Sequence, residues 1–471
     1  MSRGSGVLGK TRRVHFIGIG GIGMSGIAEL LVNLGYVVSG SDARASEVTS
    51  RLETLGIGVR IGHAASHVGE ADVVVVSSAV AQANPEVLEA GRRAIPVIAR
   101  AEMLGELMRL RYSVAVAGAH GKTTTTSMIA LVLERAGLDP TAVIGGRLKA
   151  FGSNARLGRG DVMVAEADES DRSFLRLFPT IAVVTNIDHE HLEAYDSFEA
   201  LRQAFVDFAN HVPFFGVVIA CADDVHVAAA VPRITRRLVT YGMAHGDADL
   251  VATDVVEGPM SVSARVTIRD RAKRSAPVEL GPLRLSVPGR HNLLNALAAV
   301  AVGLELDVPY ERIASGLAQF AGVERRFEVR GEPRGILVVD DYGHHPTEIA
   351  AVLAAARPLG RRVVVVFQPH RFSRTAALLS EFGPSFVGAD CVVLTDIYGA
   401  GESPRPDATL DRLATAIRQT STVAVSVVPR LDDVPAAVVR IARPGDLVIT
   451  LGAGSIGTLP ARVIAALEAA A

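Results

Sequence analysis

The stretch GAHGKTTTT at residues 118–126 carries the residue types that hold phosphate groups. The apolar run YSVAVAG leads into it and predicts a strand, while a helical pattern begins at Lys122. Backbone N–H groups at such a helix start converge on an anion, the lysine reaches the terminal phosphates, and the next hydroxyl binds Mg²⁺. Lys122 and Thr123 stand at those positions, although Val116 replaces the first glycine of the full pattern. We predict an ATP site; the alternative is a glycine-rich turn with a surface lysine.

A second glycine-rich stretch, GIGGIG at residues 18–23, also follows a strand pattern and precedes a helical one. Taken alone it indicates NAD, with Asp42 placed about 20 residues on to bind a ribose hydroxyl. The same spacing recurs at residues 452–457, where we predict only a tight turn, so the pattern is not specific. A loop of this kind binds a diphosphate at a helix N-terminus. Because UDP-sugars and dinucleotides both contain a diphosphate, either could be its ligand.

Acidic and histidine-rich segments follow predicted strands. EADESD at 166–171 places Glu166 where a carboxylate can face the phosphate-loop ligand and bind Mg²⁺. NIDHEH at 186–191 offers His191 as a ligand for a second cation, or as a structural hydrogen-bonding group.

Two further polar segments, DDYGHH at 340–345 and PHRFSRT at 369–375, also follow strand patterns. Parallel α/β sheets bind ligands at the carboxyl ends of their strands, so both segments are candidates for ligand contact. Arg371 and Arg374 can clamp a carboxylate; the alternative is that they begin a solvated helix.

Three successive runs of alternating strand and helix patterns position these groups and predict an α/β protein of three domains. Residues 1–107 predict a Rossmann-like domain. Residues 108–330 predict a central P-loop ATPase-like domain with a parallel sheet, plus a small antiparallel sheet between about 213 and 290. Residues 331–471 predict a second Rossmann-like domain, after a linker expected near 328–335.

The composition restricts the possible partners. The chain has 471 residues, 48 Lys+Arg against 50 Asp+Glu, and a net charge of -2, so nothing attracts nucleic acid or an acidic membrane in general. Only four residues are lysine. The two cysteines, Cys221 and Cys391, stand far apart and suit a reducing compartment. No apolar run reaches the length of about 18 residues that a membrane span needs. We predict a cytoplasmic protein without nucleic-acid or membrane partners, as a monomer or homodimer.

Several of these stretches together resemble the Mur ligases of bacterial cell-wall synthesis, over nearly the whole chain. They are FIGIGGIGMSGIAELL, GAHGKTTTT, EADESDRSFL, NIDHEHLEAYDSFEALRQAF, PGRHNLLNALAA, GVERRFE, DDYGHHPTE and FQPHRFSRT. The resemblance implies that the N-terminal domain binds the UDP of a sugar nucleotide and uses no NAD. It also implies an ATP-binding central domain and an amino-acid-binding C-terminal domain.

The same resemblance implies roles for individual residues. Lys122, Glu166 and His191 are implied to be catalytic, with Mg²⁺ at two sites held by Thr123, Glu166 and His191. The implied ATP contacts are Gly118, Ala119, His120, Gly121, Lys122, Thr123, Thr124, His291, Asn292, Asn295, Arg326 and Asp341. The implied UDP-sugar contacts are Gly18, Gly20, Gly21, Gly23, Asp42 and Ser77. The implied amino-acid contacts are His344, Arg371 and Arg374.

The activity implied is that of the alanine-adding branch, in which ATP drives amide formation between L-alanine and the lactyl carboxylate of UDP-N-acetylmuramate. The family's loop usually reads GTHGKTTT, whereas this chain has Ala119, so one hydroxyl near the phosphates is missing. The alternatives are a recycling ligase that attaches a tripeptide to the same UDP-sugar, a nicotinamide-dependent oxidoreductase, and a non-catalytic nucleotide sensor.

Overall fold

In the part of the chain that the structure describes, three β-sheets flanked by helices follow one another. The structure is a computed structural model that describes residues 8–77, 79–148, 153–269 and 276–470. Its chain folds as two compact units, the first made of Met1–Asp254, Ala264–Leu283 and Leu294–Phe320 and the second of Val255–Ser263, Arg284–Leu293 and Ala321–Ala471. The predicted three-part α/β fold is confirmed.

The first sheet contains five parallel strands in the order β3-β2-β1-β4-β5. The order reverses between β1 and β4, and such a reversal opens a crevice at the carboxyl ends of the strands. The strands are β1 (Arg13–Ile17), β2 (Val37–Asp42), β3 (Gly58–Ile61), β4 (Val73–Val76) and β5 (Val97–Ala99). The helices are α1 (Ile22–Asn33), α2 (Glu47–Thr54), α3 (Pro85–Arg92) and α4 (Arg100–Met108).

The second sheet contains ten strands in the order β15-β14-β13-β12-β11-β10-β6-β9-β7-β8. The segment between about 213 and 290, which was predicted to form a small antiparallel sheet, supplies β11 to β15 of this one sheet, and β11 and β12 pair in parallel with their neighbours. The strands are β6 (Tyr112–Ala117), β7 (Thr141–Leu148), β8 (Ser153–Arg156), β9 (Val162–Glu166), β10 (Ile181–Val184), β11 (Val217–Cys221), β12 (Leu238–Gly242), β13 (Leu250–Gly258), β14 (Ser261–Ile268) and β15 (Val278–Leu285). The helices are α5 (Lys122–Arg135), α6 (Phe198–Asn210), α7 (Val225–Ala230), α8 (Arg290–Glu305) and α9 (Tyr310–Ala318).

Continuous apolar runs explain the centre of this sheet. The strands β6, β10 and β11 read YSVAVA, IAVV and VVIAC, and almost all of their side chains are buried. A parallel strand covered on both faces needs such a run because neither face meets water. The three strands pair in parallel, so their carboxyl ends lie along one edge.

The third sheet contains six strands in the order β16-β17-β21-β18-β19-β20, of which only β16 is antiparallel to its neighbour. The linker predicted near 328–335 is wrong in part, because Glu328–Gly331 form β16. The other strands are β17 (Leu337–Asp341), β18 (Val363–Phe367), β19 (Cys391–Leu394), β20 (Ala424–Val427) and β21 (Leu447–Leu451). The helices are α10 (Pro346–Ala356), α11 (Phe372–Ala377), α12 (Leu379–Ser385), α13 (Leu410–Thr420), α14 (Val434–Ile441) and α15 (Leu459–Ala469).

None of the helices in the described ranges is long and apolar enough to cross a membrane.

Candidate active site

The loop between β6 and α5 is packed so closely that two of its positions admit only glycine. Gly118 has φ +141°, and a Cβ built on it would lie 2.0 Å from Thr185 Oγ1. Gly121 has φ +80°, and its Cβ would lie 2.6 Å from Asn295 Oδ1. Other residues rarely adopt these backbone angles, so both the angle and the space require glycine. The loop is thereby held in one conformation at the N-terminus of α5.

The segment that follows β10 holds the same loop through hydrogen bonds. The His120 N–H donates to Asn186 Oδ1 at 2.8 Å, and Thr185 Oγ1 donates to the His120 carbonyl at 2.7 Å. The His120 ring lies 2.9 Å from the Asp188 carboxylate through Nε2. The fold therefore brings the segments GAHGKTTTT and NIDHEH into direct contact.

Lys122 is the first residue of α5, directly after the loop, and neighbouring carboxylate and carbonyl oxygens hold its ammonium group. Its Nζ donates to both carboxylate oxygens of Glu169 at 2.8 Å each, and to the carbonyl of Gly118 at 2.6 Å. Burial acts to lower the pKa of Lys122, but the carboxylates of Glu169 and Asp168 outweigh it, so the pKa is raised. The lysine is therefore a positive charge in a fixed place, which is what a terminal phosphate requires.

Oxygen ligands suited to a divalent cation lie beside the lysine. The Thr123 hydroxyl donates to Glu166 Oε2 at 3.3 Å, and Glu166 Oε1 accepts from the Gly145 N–H at 2.5 Å. Hydroxyl and carboxylate oxygens are the ligands that Mg²⁺ prefers. The structure places Thr123 and Glu166, the two residues predicted to bind one Mg²⁺, within hydrogen-bond distance of each other.

His191 has a strained backbone and two acidic neighbours. Its φ is +56°, its Nε2 lies 3.7 Å from Glu190 and its Nδ1 lies 3.9 Å from Glu193. A non-glycine residue with this angle is uncommon and often marks a functional site. The carboxylates make the neighbourhood favourable for a cation.

Asn295 on α8, predicted to contact the nucleotide, lies against Gly121 of the phosphate loop and the first turn of α5. Its Oδ1 accepts from the Thr125 hydroxyl at 3.1 Å, and the side chain is buried. Asn292, one turn earlier, donates through Nδ2 to the Pro288 carbonyl at 2.7 Å and is also buried. Thr124 is buried in the first turn of α5.

The first glycine-rich loop lies at the carboxyl ends of β1 and β2. Gly18 has φ +79° and donates its N–H to the Ser41 carbonyl at 2.8 Å, and the Gly20 N–H donates to Asp42 Oδ2 at 2.8 Å. Gly21 caps α1 without any side-chain hydrogen bond, and Ser77 follows β4 beside Gly18. The predicted UDP-sugar residues are therefore gathered at one crevice. Asp42, predicted to face a ribose, is engaged by the loop itself.

Arg100 connects this crevice with the acidic segment of the second sheet. A Cβ on Gly23 would lie 2.7 Å from Arg100 Nη1, so the guanidinium covers the first turn of α1. Its Nη2 lies 3.6 Å from the Asp168 carboxylate, next to the Glu169 that holds Lys122. Arg100 therefore lies between the first turn of α1 and the acidic segment that follows β9.

In the second unit, the buried Asp341 lies near the half-buried Arg326. Burial raises the pKa of Asp341 to about 6, against the opposing effect of Arg326. Burial also lowers the pKa of His291 to about 4, and Arg326 adds to this effect. The Arg326 guanidinium lies 3.4 Å from Glu348 and stacks over the Tyr342 ring at 5.2 Å.

The predicted amino-acid residues lie close together at the ends of β17 and β18. The His344 ring is 5.4 Å from the His370 ring, and Arg374 Nη1 is 3.1 Å from His370 Nδ1. Arg371 has φ +67°, and its backbone N–H donates to the Tyr398 carbonyl at 2.8 Å. Burial and the neighbouring cations lower the pKa of His370 to about 3, so its ring is neutral.

Sequence reasoning missed four residues that organise these sites: Glu169, Asp188, Arg100 and His370. Glu169, Asp188 and His370 lie inside the segments 166–171, 186–191 and 369–375, in which other residues were predicted to be functional. The sequence could have indicated Glu169 on electrostatic grounds, because a buried lysine needs a carboxylate nearby and the segment 166–171 is rich in acids. No local pattern pointed to Arg100, which lies between the two glycine-rich motifs in the sequence.

Three family models match the chain in succession. They are described as "Mur ligase family, catalytic domain" at residues 13–112, "Mur ligase middle domain" at 116–303, and "Mur ligase, glutamate ligase domain" at 325–454. These matches cover most of the chain and include both glycine-rich loops.

Curated relatives and solved structures agree with these matches. A UDP-N-acetylmuramate--L-alanine ligase of Geobacter sp. strain M21 is 53% identical over 98% of this chain and 99% of the relative. The protein of the same name from Anaeromyxobacter dehalogenans strain 2CP-C is 56% identical over 97% and 98%. The crystal structure of UDP-N-acetylmuramate-alanine ligase MurC from Thermotoga maritima has a TM-score of 0.79 at 29% identity, covering 98% and 100%. The chain therefore belongs to the Mur ligase family.

Proposed function

We propose that this chain joins L-alanine to the lactyl carboxylate of UDP-N-acetylmuramate at the expense of ATP, giving UDP-N-acetylmuramoyl-L-alanine, ADP and phosphate. The observation that carries the proposal is the fixed Lys122 beside the Thr123–Glu166 pair at the end of β6. The names of relatives more than 50% identical over almost the whole chain support the same activity.

The chemistry explains why a phosphate loop serves an amide-forming enzyme. A carboxylate is a poor acylating agent, so its oxygen first attacks the γ-phosphorus of ATP; the bond between that phosphorus and ADP breaks, and an acyl phosphate forms. Lys122 offsets the negative charge that develops on the transferred phosphoryl group. The neutral amine of alanine then attacks the acyl carbon, the C–O bond to phosphate breaks as the amide bond forms, and the nitrogen loses one proton to a nearby base or to solvent.

Thr123 and Glu166 fit Mg²⁺, because both offer oxygen atoms and lie within hydrogen-bond distance of each other beside Lys122. We propose that they hold one Mg²⁺ and that His191 helps to hold a second. Bound Mg²⁺ would neutralise charge on the phosphates. The protein's own part is to keep Glu166 anchored by the Gly145 N–H and Lys122 anchored by Glu169.

The first glycine-rich loop is proposed to bind the UDP-sugar. Its contacts would come from Gly18, Gly20, Gly21, Gly23, Asp42 and Ser77, with the diphosphate over the N-terminus of α1. The N-cap of α1 has no side-chain hydrogen bond, which leaves the helix terminus available to an anionic ligand.

In the second unit, we propose that His344, Arg371 and Arg374 bind the amino acid, since arginines pair with a carboxylate. His291, Asn292, Arg326 and Asp341 are proposed as nucleotide contacts, as family resemblance implies. We also propose that the enzyme acts in the cytoplasm, where its nucleotide substrates would be available, as a monomer or homodimer.

A phosphate-release assay tests the proposal. UDP-N-acetylmuramate is combined with alanine, glycine, serine or the cell-wall tripeptide in the presence of ATP and Mg²⁺. Release that requires both the UDP-sugar and alanine supports the proposal, whereas preference for the tripeptide would indicate the recycling ligase instead. Lys122→Ala serves as the inactive control, and unchanged absorbance of added NADH excludes the oxidoreductase. No release with any pair would favour the nucleotide sensor.

A further inference from the structure

A fully buried carboxylate lies beneath the first sheet among three histidines. Glu86, in the first turn of α3, has no exposed surface. Its Oε2 is 2.7 Å from His15 Nε2, and its Oε1 is 3.0 Å from His63 Nδ1. His67 Nδ1 is 3.7 Å from the same Oε1, beyond hydrogen-bond distance. Buried charged groups often contribute less to the free energy of unfolding than apolar side chains of the same volume would. A function other than stability would explain this cluster.

The hydrogen bonds determine which atoms carry protons. The Ser41 hydroxyl also donates to Glu86 Oε2 at 2.9 Å. Burial opposes ionisation, but the hydrogen bonds from His15 and Ser41 outweigh it and lower the pKa of Glu86. The carboxylate is therefore ionised and accepts only, so His63 donates to it through Nδ1–H. In the neutral ring this leaves His63 Nε2 as an acceptor.

His63 lies where the nucleoside of a bound nucleotide is expected. It follows β3, and the preceding Gly62 N–H donates to the Asp42 carbonyl at 2.8 Å, beside the first glycine-rich loop. The side chain is 25% exposed, and within the described ranges no hydrogen bond reaches Nε2. In doubly wound folds an acid at the end of the second strand binds the ribose. Here one oxygen of that acid, Asp42 Oδ2, accepts from the Gly20 N–H.

We propose that His63 Nε2 accepts a hydrogen bond from the nucleoside of the UDP-sugar, and that Glu86 fixes the tautomer that makes this possible. The donor is either a ribose hydroxyl or the uracil N3–H, since both are neutral donors on the uridine. His63 is then a binding residue and Glu86 a positioning residue. The inference rests on the proposed function, because it requires UDP at the first loop.

The histidines and Glu86 do not form a metal site. Over the described ranges, no three of these side chains bring ligand atoms as close together as a shared ion requires. The Glu86 carboxylate instead accepts hydrogen bonds from His15, Ser41 and His63. Such a network fixes the direction of each hydrogen bond, which recognition of a ligand by His63 would require.

Calorimetric titration with UDP, 2′-deoxy-UDP, 3′-deoxy-UDP and N3-methyl-UDP tests the proposal on the full chain. His63→Ala is expected to weaken UDP binding about 10-fold, the effect of one lost hydrogen bond. The analogue that lacks the relevant donor should bind the unaltered chain about 10-fold more weakly than UDP, yet bind His63→Ala as well as UDP does. His63→Gln, whose amide oxygen can accept near the position of Nε2, should restore part of the difference. The exposed His245, which faces Asp223, provides the matched control His245→Ala with unchanged affinity.

Each contrary result overturns a distinct statement. Equal UDP affinity in His63→Ala and the unaltered chain overturns this inference and leaves the proposed function standing. Absence of UDP binding to the unaltered chain overturns both. Glu86→Gln should raise the KM for UDP-N-acetylmuramate and leave kcat unchanged, with folding checked by its melting temperature. A fall in kcat alone would overturn the positioning role.

Discussion

The two glycine-rich loops occupy the same place in their sheets but differ in the charge they carry. Each follows a central parallel strand and begins a helix. In the first loop the Gly20 N–H donates to Asp42, and the stretch GIGGIG contains no charged residue. In the second, Lys122 is held by Glu169 and Thr123 donates to Glu166.

We infer from this difference that the first loop serves to bind its ligand, whereas the second loop serves the chemical step. A diphosphate that only needs to be held can be satisfied by backbone N–H groups and a helix N-terminus. A phosphoryl group that is transferred gains negative charge during the reaction, so it needs a cation fixed in advance. We therefore predict that substitutions in the first loop raise the KM for the UDP-sugar, and that substitutions in the second loop lower kcat.

The largest effect is expected from Lys122→Ala. Without the ammonium group, the transferred phosphoryl loses its fixed cation, and kcat should fall by about 10³-fold or more. UDP binding at the first loop, measured by calorimetry, should stay unchanged. Because the variant leaves Glu169 buried without its cation, Lys122→Ala combined with Glu169→Gln controls for instability. Turnover close to that of the unaltered enzyme would contradict the comparison.

A matched pair of glycine substitutions comes next. Gly118→Ala places a Cβ 2.0 Å from Thr185 Oγ1 at φ +141°, so ATP binding and the melting temperature should both fall markedly. In Gly18→Ala the new Cβ would lie 3.7 Å from Ser77 Oγ, which is an ordinary contact distance. Only the backbone angle, φ +79°, opposes this change, and it should lower the free energy of unfolding by about 1–2 kcal/mol. Thermal unfolding and ATP titration measure both. Equal losses in the two variants would show that the loops are equally constrained.

Glu169→Gln removes the carboxylate that positions the lysine. We expect kcat to fall about 10–100-fold, because a displaced catalytic group reduces the rate without abolishing substrate binding. Steady-state kinetics with saturating UDP-sugar measure the change. Unaltered kcat would mean that the carbonyls of Gly118 and Ala119, which accept from Lys122 Nζ at 2.6 and 3.3 Å, are enough to hold the lysine.

Asp42→Asn is the corresponding change in the first loop. The amide keeps the shape but presents a weaker acceptor to the Gly20 N–H, so the KM for the UDP-sugar should rise about tenfold or less. The value of kcat should not change. If kcat fell as far as in Glu169→Gln, the first loop would be acting in the chemistry.

Ala119→Thr should have the smallest effect. It restores the hydroxyl that the family's loop usually carries, while the backbone around position 119 is already held by the Asn186 carbonyl. Turnover is expected to change by about threefold or less. A larger gain would show that the hydroxyl contributes to binding the phosphates.

The sequence predicts the strands that lead into its motifs because those strands are buried runs of apolar residues with a clear boundary at glycine. Short strands with exposed residues, such as β3, carry too little pattern to be recognised. The linker near 328–335 was partly wrong because Pro333 and Gly335 mark a turn that follows β16, and such signals do not distinguish a turn from a linker.

Within the sites, the residues on the loops were predictable and their partners were not. Lys122 and Glu169 are 47 positions apart, and no periodicity links them. Likewise, the contact of Asn186 with His120 depends on β6 and β10 being neighbours, which the order of the strands in the sequence does not specify.

The scarcity of lysine makes the phosphate loop unusually easy to observe. The chain has four lysines, and Lys122 is the one in the described ranges that is held by a buried carboxylate, whereas Lys10 is exposed. Lysine labelled with ¹³C at Cε would give a spectrum of four side chains. The arrival of nucleotide at the loop would then be visible as the movement of a single resonance, without any probe attached to the enzyme.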